Sequence, residues 1–198
     1  LTKAGIRKKR LTDLSNEELG RLFPIVLSEP KKEWAVLFLK EEANIRRALG
    51  GQTVIRIEHI GSTAVPGLIA KPTIDILLEV PEQVNTVFLI KTMEGLGYHC
   101  IPHPENPPPH LMFARGYTMK GFRGQAYHVH IRYPGDWDEP YFRDYLRLHP
   151  ETAREYAELK KEMAGKYKHD RDGYTEQKGE FIKKITSLAR SEVKDKSA

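Results

Sequence analysis

Gly61-Ser62 sits between two apolar runs, a turn that offers backbone N–H groups and a hydroxyl with no side-chain wall, which suits a phosphate. Downstream, Asp75 lies inside the run Thr73 to Val80, which is β-branched and apolar apart from Asp75 and Glu79. A carboxylate inside such a strand is costly unless it is paired or bound to a metal. An anion-binding turn followed by a strand carboxylate is the core of metal-assisted phosphoryl or nucleotidyl transfer. The same residues also make a plain strand–turn–strand with one surface acid. His128 and His130, two apart on a strand, point to one face. His59, just before the turn, titrates near neutrality and is a candidate general base or a structural hydrogen-bonding histidine. Ser62 is in no nucleophile elbow, which argues against a Ser62–His59–Asp75 triad. Lys71 either meets a phosphate or pairs with Asp75. Arg143 and Arg147 share a helix face, and Tyr174 and Lys178 repeat that spacing on the last helix; Arg143, Tyr174 and Lys178 could converge on an anion, or the arginines could serve in surface ion pairs.

The elements that must position these groups follow from pattern. Ser15 to Glu18 has the form of a capping box and predicts a short helix to about Leu22. Lys31 to Leu49 reads as a helix with Trp34, Leu37, Phe38, Ile45 and Leu49 inward, stopped by Gly50-Gly51. Strands are expected near Thr53–Glu58, Thr73–Glu79, Tyr98–Ile101, His110–Arg115 and Gln125–Tyr133. A helix should open at Pro81 and run to about Glu94, and the five prolines of Pro102 to Pro109 read as a stiff connector. Gly116 to Gly124 reads as a turn, and His110, at the start of its strand, could join the site, whereas His99 and His103 read as solvated. Helices are expected over Glu139–His149, from Pro150 onward, and after a turn at Asp170–Gly173.

Gly-Ser followed by an acid on an apolar strand resembles the nucleotidyltransferase fold, whose signature is Gly-Ser with an Asp-x-Asp pair. More narrowly, IGSTAVPGL, AKP and IDI resemble the GrpB family, as do HVHI, FRDYLRLHPETAREYAELK and YTEQKGEFIKKI downstream. The resemblance covers roughly Trp34 to Ala189. It implies an α/β (α+β) nucleotidyltransferase-like mixed sheet with flanking helices and a helical C-terminal third. Family members occur alone or fused to other enzymes, including dephospho-CoA kinase. Nucleotidyltransferases hold two divalent cations with three carboxylates. Here Asp75 fills the first place, Leu77 falls on the second and cannot bind a metal, and Glu79 lies two further along the same face. The strand of the third carboxylate carries His128 and His130 instead. Asp75, His128 and His130 would form a three-ligand site suited to Zn²⁺, Mn²⁺, Fe²⁺ or Ni²⁺ better than to Mg²⁺, which prefers oxygen.

With 198 residues the chain is long enough for one domain with a real core; the expected division is a basic arm and short helix over 1–22 and a single domain over 23–198. Five of the positive charges fall in the first ten residues, Lys3, Arg7, Lys8, Lys9 and Arg10, which leaves the remaining chain with 27 basic and 27 acidic residues. The net charge of +5 is therefore a property of the arm, and the body gives no strong nucleic-acid signal. No apolar run approaches a membrane span, the start lacks the apolar region of a secretory signal, and Cys100 is the sole cysteine, so a cytoplasmic location is expected.

The leading expectation is a pocket for a nucleotide or other phosphorylated small molecule, with Ser62 and Lys71 on phosphates and a divalent metal (Zn, Mn, Ni or Mg) at Asp75, His128 and His130, capable of nucleotidyl or phosphoryl transfer. Two readings stand beside it: a non-catalytic nucleotide- or CoA-related binding or folding-accessory module, and a metal-dependent hydrolase built on the His-x-His site.

Overall fold

A computed structural model describes residues 9–197. The first helix, α1 (Asn16–Leu22), has the expected box: Ser15 Oγ accepts from Glu18 N (3.2 Å) and Glu18 Oε2 accepts from Ser15 N (2.9 Å). The second, α2 (Glu33–Leu49), ends at Gly50, whose φ of 80° suits glycine. Five strands follow, β1 (Arg56–Ile60), β2 (Thr73–Glu79), β3 (His99–Pro102), β4 (Leu111–Thr118) and β5 (Gly121–Arg132), with α3 (Thr86–Gly95) between β2 and β3. The chain closes with α4 (Asp138–Leu148), α5 (Pro150–Lys166), α6 (Arg171–Gln177) and α7 (Gly179–Ser197). The strands form one mixed α/β sheet in the order β1-β2-β5-β4-β3, in which β2 and β5 run parallel and the other neighbours antiparallel.

Alternation along β2 divides the molecule into two layers of helices. Ile74, Ile76 and Leu78 are fully buried in a cluster with Trp34, Phe38 and Ile45 of α2 and Leu89 and Met93 of α3. Asp75, Leu77 and Glu79 face the other way, toward the helical C-terminal third. There Leu146, Tyr156 and Ile185 pack with Val65 and Leu68 of the β1–β2 connection, and Ile25 packs with Met163 and Tyr174.

Several expectations shift. The first strand runs to Ile60 rather than stopping at Glu58, and Ile60 pairs with Asp75. The helix expected from Pro81 begins at Thr86, because the Asn85 side chain caps it by accepting from Phe88 N (3.0 Å). The turn expected over Gly116–Gly124 is instead the far end of a long β4–β5 hairpin that reverses around Met119-Lys120. Gly116 is a bulge: at φ 92° a side chain there would meet the backbone of Gln125 at 2.6 Å, so this glycine marks close strand approach, not chain reversal. Asp170–Gly173 is the cap and first turn of α6, with Asp170 Oδ1 accepting from Gly173 N (2.9 Å). Tyr174 therefore lies on α6, and Lys178 caps it ahead of the last helix. Of the basic arm, Lys3, Arg7 and Lys8 lie outside the described residues, while Lys9 and Arg10 make exposed pairs with Glu18 and Asp13. Among the described residues no helix is long and apolar enough to cross a membrane.

Candidate functional site

Parallel pairing of β2 with β5 sets Asp75 opposite His128 and Leu77 opposite His130, all on the face turned to the C-terminal helices. Asp75 Oδ1 lies 3.2 Å from His128 Nδ1 and 3.6 Å from His130 Nε2. One atom from each residue can be chosen so that all lie within 4.8 Å of one another. Two metal bonds of about 2.0–2.2 Å at roughly 100° span about 3.2 Å, so the donor set fits one divalent ion with open positions. Burial alone would raise the Asp75 carboxyl, but its hydrogen bonds and charge contacts to His128 and His130 outweigh burial and hold it far below the ordinary carboxylate range. His128 is pushed down by burial, against the pull of Asp75.

Tyr117 completes this arrangement. Its ring stacks on His128 and its hydroxyl lies 2.8 Å from His128 Nε2. With Asp75 ionised, His128 Nδ1–H donates to the carboxylate and Nε2 accepts from the Tyr117 hydroxyl. Were His128 to hold a cation through Nδ1, its ring proton would sit on Nε2, where the Tyr117 oxygen could accept it. Leu77 is fully buried where a second carboxylate would sit, and Glu79 is held elsewhere, accepting from Gly135 N (3.3 Å) and lying 3.5 Å from Arg56. The single carboxylate with two imidazoles favours a nitrogen-accepting ion over Mg²⁺.

The Gly61–Ser62 turn lies against the same carboxylate. Gly61 has φ 70°, and a side chain on it would meet Asp75 Oδ2 at 2.6 Å; only glycine lets turn and acid come this close. Ser62 opens a single 3₁₀ turn, Ser62–Ala64. Its hydroxyl accepts from Lys160 Nζ (3.1 Å), which also donates to Ile69 O and so ties both ends of the loop. Arg147 donates twice to Ala64 O (3.0 and 2.8 Å), holding the turn from α4.

Gly61, Ser62, Lys71, Asp75, His128, His130, Tyr174 and Lys178 all line one cavity of about 500 Å³. Lys71 and Lys178 stand over the Tyr174 ring at 5.5 and 4.0 Å, and Lys160 over Tyr156 at 4.6 Å. Burial pushes Lys160 down to about 7, helped by Lys178; it pushes Lys178 to about 7, helped by Lys71, and Lys71 to about 8, helped by Arg171, while Asp75 pulls Lys178 and Lys71 back up. No ion pair joins Lys71 to Asp75 among the described residues; its amine stands over the Tyr174 ring instead.

Two expected site residues lie elsewhere. His59 pairs with Ile76, which turns it to the opposite face of the sheet from Asp75, where it stacks on Phe38 at 4.9 Å. Thr63 gives its only hydroxyl proton to Thr73 O (3.0 Å), so His59 Nε2–H donates to Thr63 Oγ1 (2.9 Å). Burial pushes His59 down to about 4, and it is a neutral core residue, not a base at the cavity. Arg143 is consumed by Glu58 (2.7 Å), Asp144 (2.7 Å) and His59 O (2.9 Å), leaving it no part in anion binding. His110 is exposed and bonded to Asn106 O, whereas His103, expected in solvent, lines the cavity.

Sequence reasoning missed Lys160, Tyr117 and Tyr156. Lys160 lies four residues after Tyr156, on the same apolar face of α5, and a lysine inside an apolar stripe was a legible signal. Tyr117 carried no signal, because its segment read as a turn.

Comparisons with known proteins agree with this picture. The family model for "GrpB protein" matches residues 24–188. The chain is 43% identical over 158 residues to a UPF0157 protein of Pseudomonas aeruginosa and 32% identical over 201 residues to the UPF0157 protein YqkA of Bacillus subtilis. These matches cover 79% and 96% of this chain but 64% and 56% of the relatives, so the chain spans less than two thirds of either. It is 25% identical over 185 residues to a protein named dephospho-CoA kinase in Mycolicibacterium paratuberculosis, covering 82% of this chain and 45% of that one. The crystal structure of conserved protein GrpB from Enterococcus faecalis superposes with a TM-score of 0.74 at 30% identity, over 85% of this chain and 99% of that one. With its mixed sheet, its Gly-Ser turn and its helical C-terminal third, this chain belongs to the GrpB family.

Proposed function

We propose that the cavity binds a nucleotide or another phosphorylated small molecule together with one divalent metal ion, and that it serves nucleotidyl or phosphoryl transfer. The observation that carries this reading is the meeting, in one cavity, of the Asp75–His128–His130 donor set with the Gly61–Ser62 turn and three lysines. The partial match to a dephospho-CoA kinase supports a nucleotide-related ligand.

The chain's own residues divide the work. Ser62 and Gly61 present a turn to a phosphate, and Lys71, Lys160 and Lys178 supply positive charge around it. Tyr117 orients His128, and Gly61 lets Asp75 reach the turn. The metal, when bound, polarises a phosphoryl oxygen as a Lewis acid. His59 and Arg143 hold β1 and the turn in place and take no part in the chemistry.

A thermal-shift matrix of nucleotides against Mg²⁺, Mn²⁺ and Zn²⁺ tests the proposal. A ligand that binds only the native state raises the midpoint by an amount set by its concentration relative to Kd. The reading requires a nucleotide shift that grows when Mn²⁺ or Zn²⁺ is present. A metal shift with no nucleotide effect would instead favour a hydrolase at the His-x-His site, and a nucleotide shift indifferent to metal would favour a binding module.

A further inference from the structure

We infer that the cavity takes the polyphosphate end of its ligand, a di- or triphosphate seated among Lys71, Lys160 and Lys178. This rests on the reading above of a phosphate-binding cavity and narrows it to one class of ligand.

The argument is one of charge. Two of the outer acids lining the cavity are neutralised by arginines, and the third, exposed Asp172, meets only a neutral amide. Asp138 lies 2.7 Å from Arg190, Glu139 lies 3.5 Å from Arg132, and Asp172 accepts from Asn16 (2.7 Å). Asp75 is engaged by His128 and His130. The lysines have no such partner: among the described residues none of the three lies within 4.0 Å of a carboxylate. Lys71 and Lys178 meet only the face of Tyr174, and Lys160, 2% exposed, is held by neutral oxygens. Sequestered cations without a counter-ion are expensive, and the arrangement persists where a ligand supplies the opposite charge.

Lys71, Lys160, Lys178 and Arg171, which also lines the cavity and meets only the Phe23 carbonyl and the Tyr117 ring, outweigh Asp75 and Asp172 by about two charges, the −2 of a single phosphate monoester. A divalent ion at Asp75 would raise that surplus to about four charges, half of which one monoester leaves unmet. A diphosphate or triphosphate closes it. The depressed lysines point the same way: burial keeps the amines partly neutral while the cavity is empty, and an arriving anion restores their charge.

The test is calorimetric titration of the full chain, stripped of metal with EDTA, against orthophosphate, pyrophosphate, tripolyphosphate, citrate and a nucleoside triphosphate. Removing metal isolates the lysines from the Asp75 donor set. The expected result is affinity rising by roughly tenfold from orthophosphate to pyrophosphate and again to tripolyphosphate, with citrate weak. Lys178→Met and Lys71→Met should each abolish most of that gain without lowering the melting midpoint, since each removes a sequestered charge whose amine meets only the Tyr174 ring. Lys160→Met ties into the loop and is a poorer test of binding. A nucleoside triphosphate matching tripolyphosphate and one exceeding it both support the proposal, and they tell whether the carrier of the phosphates is also recognised. Orthophosphate or citrate binding as tightly as tripolyphosphate would overturn the polyphosphate class, and orthophosphate doing so would leave the phosphate reading standing. Unchanged tripolyphosphate affinity in both lysine variants would overturn it as well. No binding of any phosphate, with or without Mn²⁺, would overturn both readings.

Discussion

Asp75 on β2 and His128 on β5 face each other across a parallel strand pair, with Oδ1 and Nδ1 3.2 Å apart. The parallel register brings an acid and an imidazole 53 residues apart to hydrogen-bonding distance and adds His130 from two residues further along.

Asp75→Asn keeps the shape and removes the charge. Elemental analysis of the variant should show bound metal falling sharply, and the midpoint rise that saturating Zn²⁺ or Mn²⁺ gives the wild type, about 2.7 kcal/mol at a hundredfold excess over Kd, should vanish. Unchanged metal content would rule out co-ligation at this position.

His59→Gln should separate structure from site. The folded-state value of about 4 lies below the ordinary 6.5, so between these values the unfolded chain binds more protons. Stability from this group is complete above about pH 6.5 and falls as the pH drops toward 4, by up to about 1.4 kcal/mol per pH unit. Denaturant titrations from pH 4 to 7 should show a shallower pH slope for the variant, with metal content unaltered. A metal-depleted variant would return His59 to the cavity.

Arg147 acts on the turn through the Ala64 carbonyl. Arg147→Met should cost roughly 1–3 kcal/mol, since it strips both donors from that oxygen. It should also weaken phosphate binding while leaving bound metal as it was. Equal losses of metal and phosphate would mean that the arginine supports the whole sheet edge and not the turn.

Anion binding should take up protons at pH 8. Lys160 and Lys178 sit near 7 in the empty protein, and a bound phosphate favours their charged forms. Calorimetry at pH 8 in buffers of different ionisation enthalpy should therefore report proton uptake, and affinity should decline from pH 7 to 9. In the absence of ligand the sign for stability is opposite: the unfolded amines titrate near 10.5, so these lysines favour the folded state progressively more as pH rises from 7 toward 10.5. Proton release on binding would mean that the amines are charged beforehand.

Truncation should distinguish the arm from α1. Removing residues 1–10 deletes exposed contacts of Lys9 and Arg10 and should leave the melting midpoint nearly unchanged. Removing 1–22 also deletes Asn16, which donates to Asp172, and the Gly20 carbonyl, which accepts from His169, so the midpoint should fall by several degrees. A fall on the shorter deletion would show that the arm docks.

Local pattern located most of the elements, and with the family resemblance it named the donor set, the turn and two of the three lysines that line the cavity. Periodicity located α2, β2 and the C-terminal helices, the Ser15 box marked the start of α1, and Pro150 marked that of α5, because hydrophobic spacing and capping act within a few residues. Gly61, Ser62, Asp75, His128 and His130 were legible because glycine, acid and imidazole in apolar strands are expensive without a purpose. The facing of His59 was not legible: it depends on where β1 ends, and the run to Ile60 sets the pairing that turns the ring toward Phe38. The fate of Arg143 depended on Glu58, 85 residues away in sequence, and that of Lys160 on Ser62, 98 residues away. Such pairings arise only when α4 and α5 close over the sheet. Sequence therefore determined which groups were present, and tertiary packing decided which of them keep their charge free for a ligand.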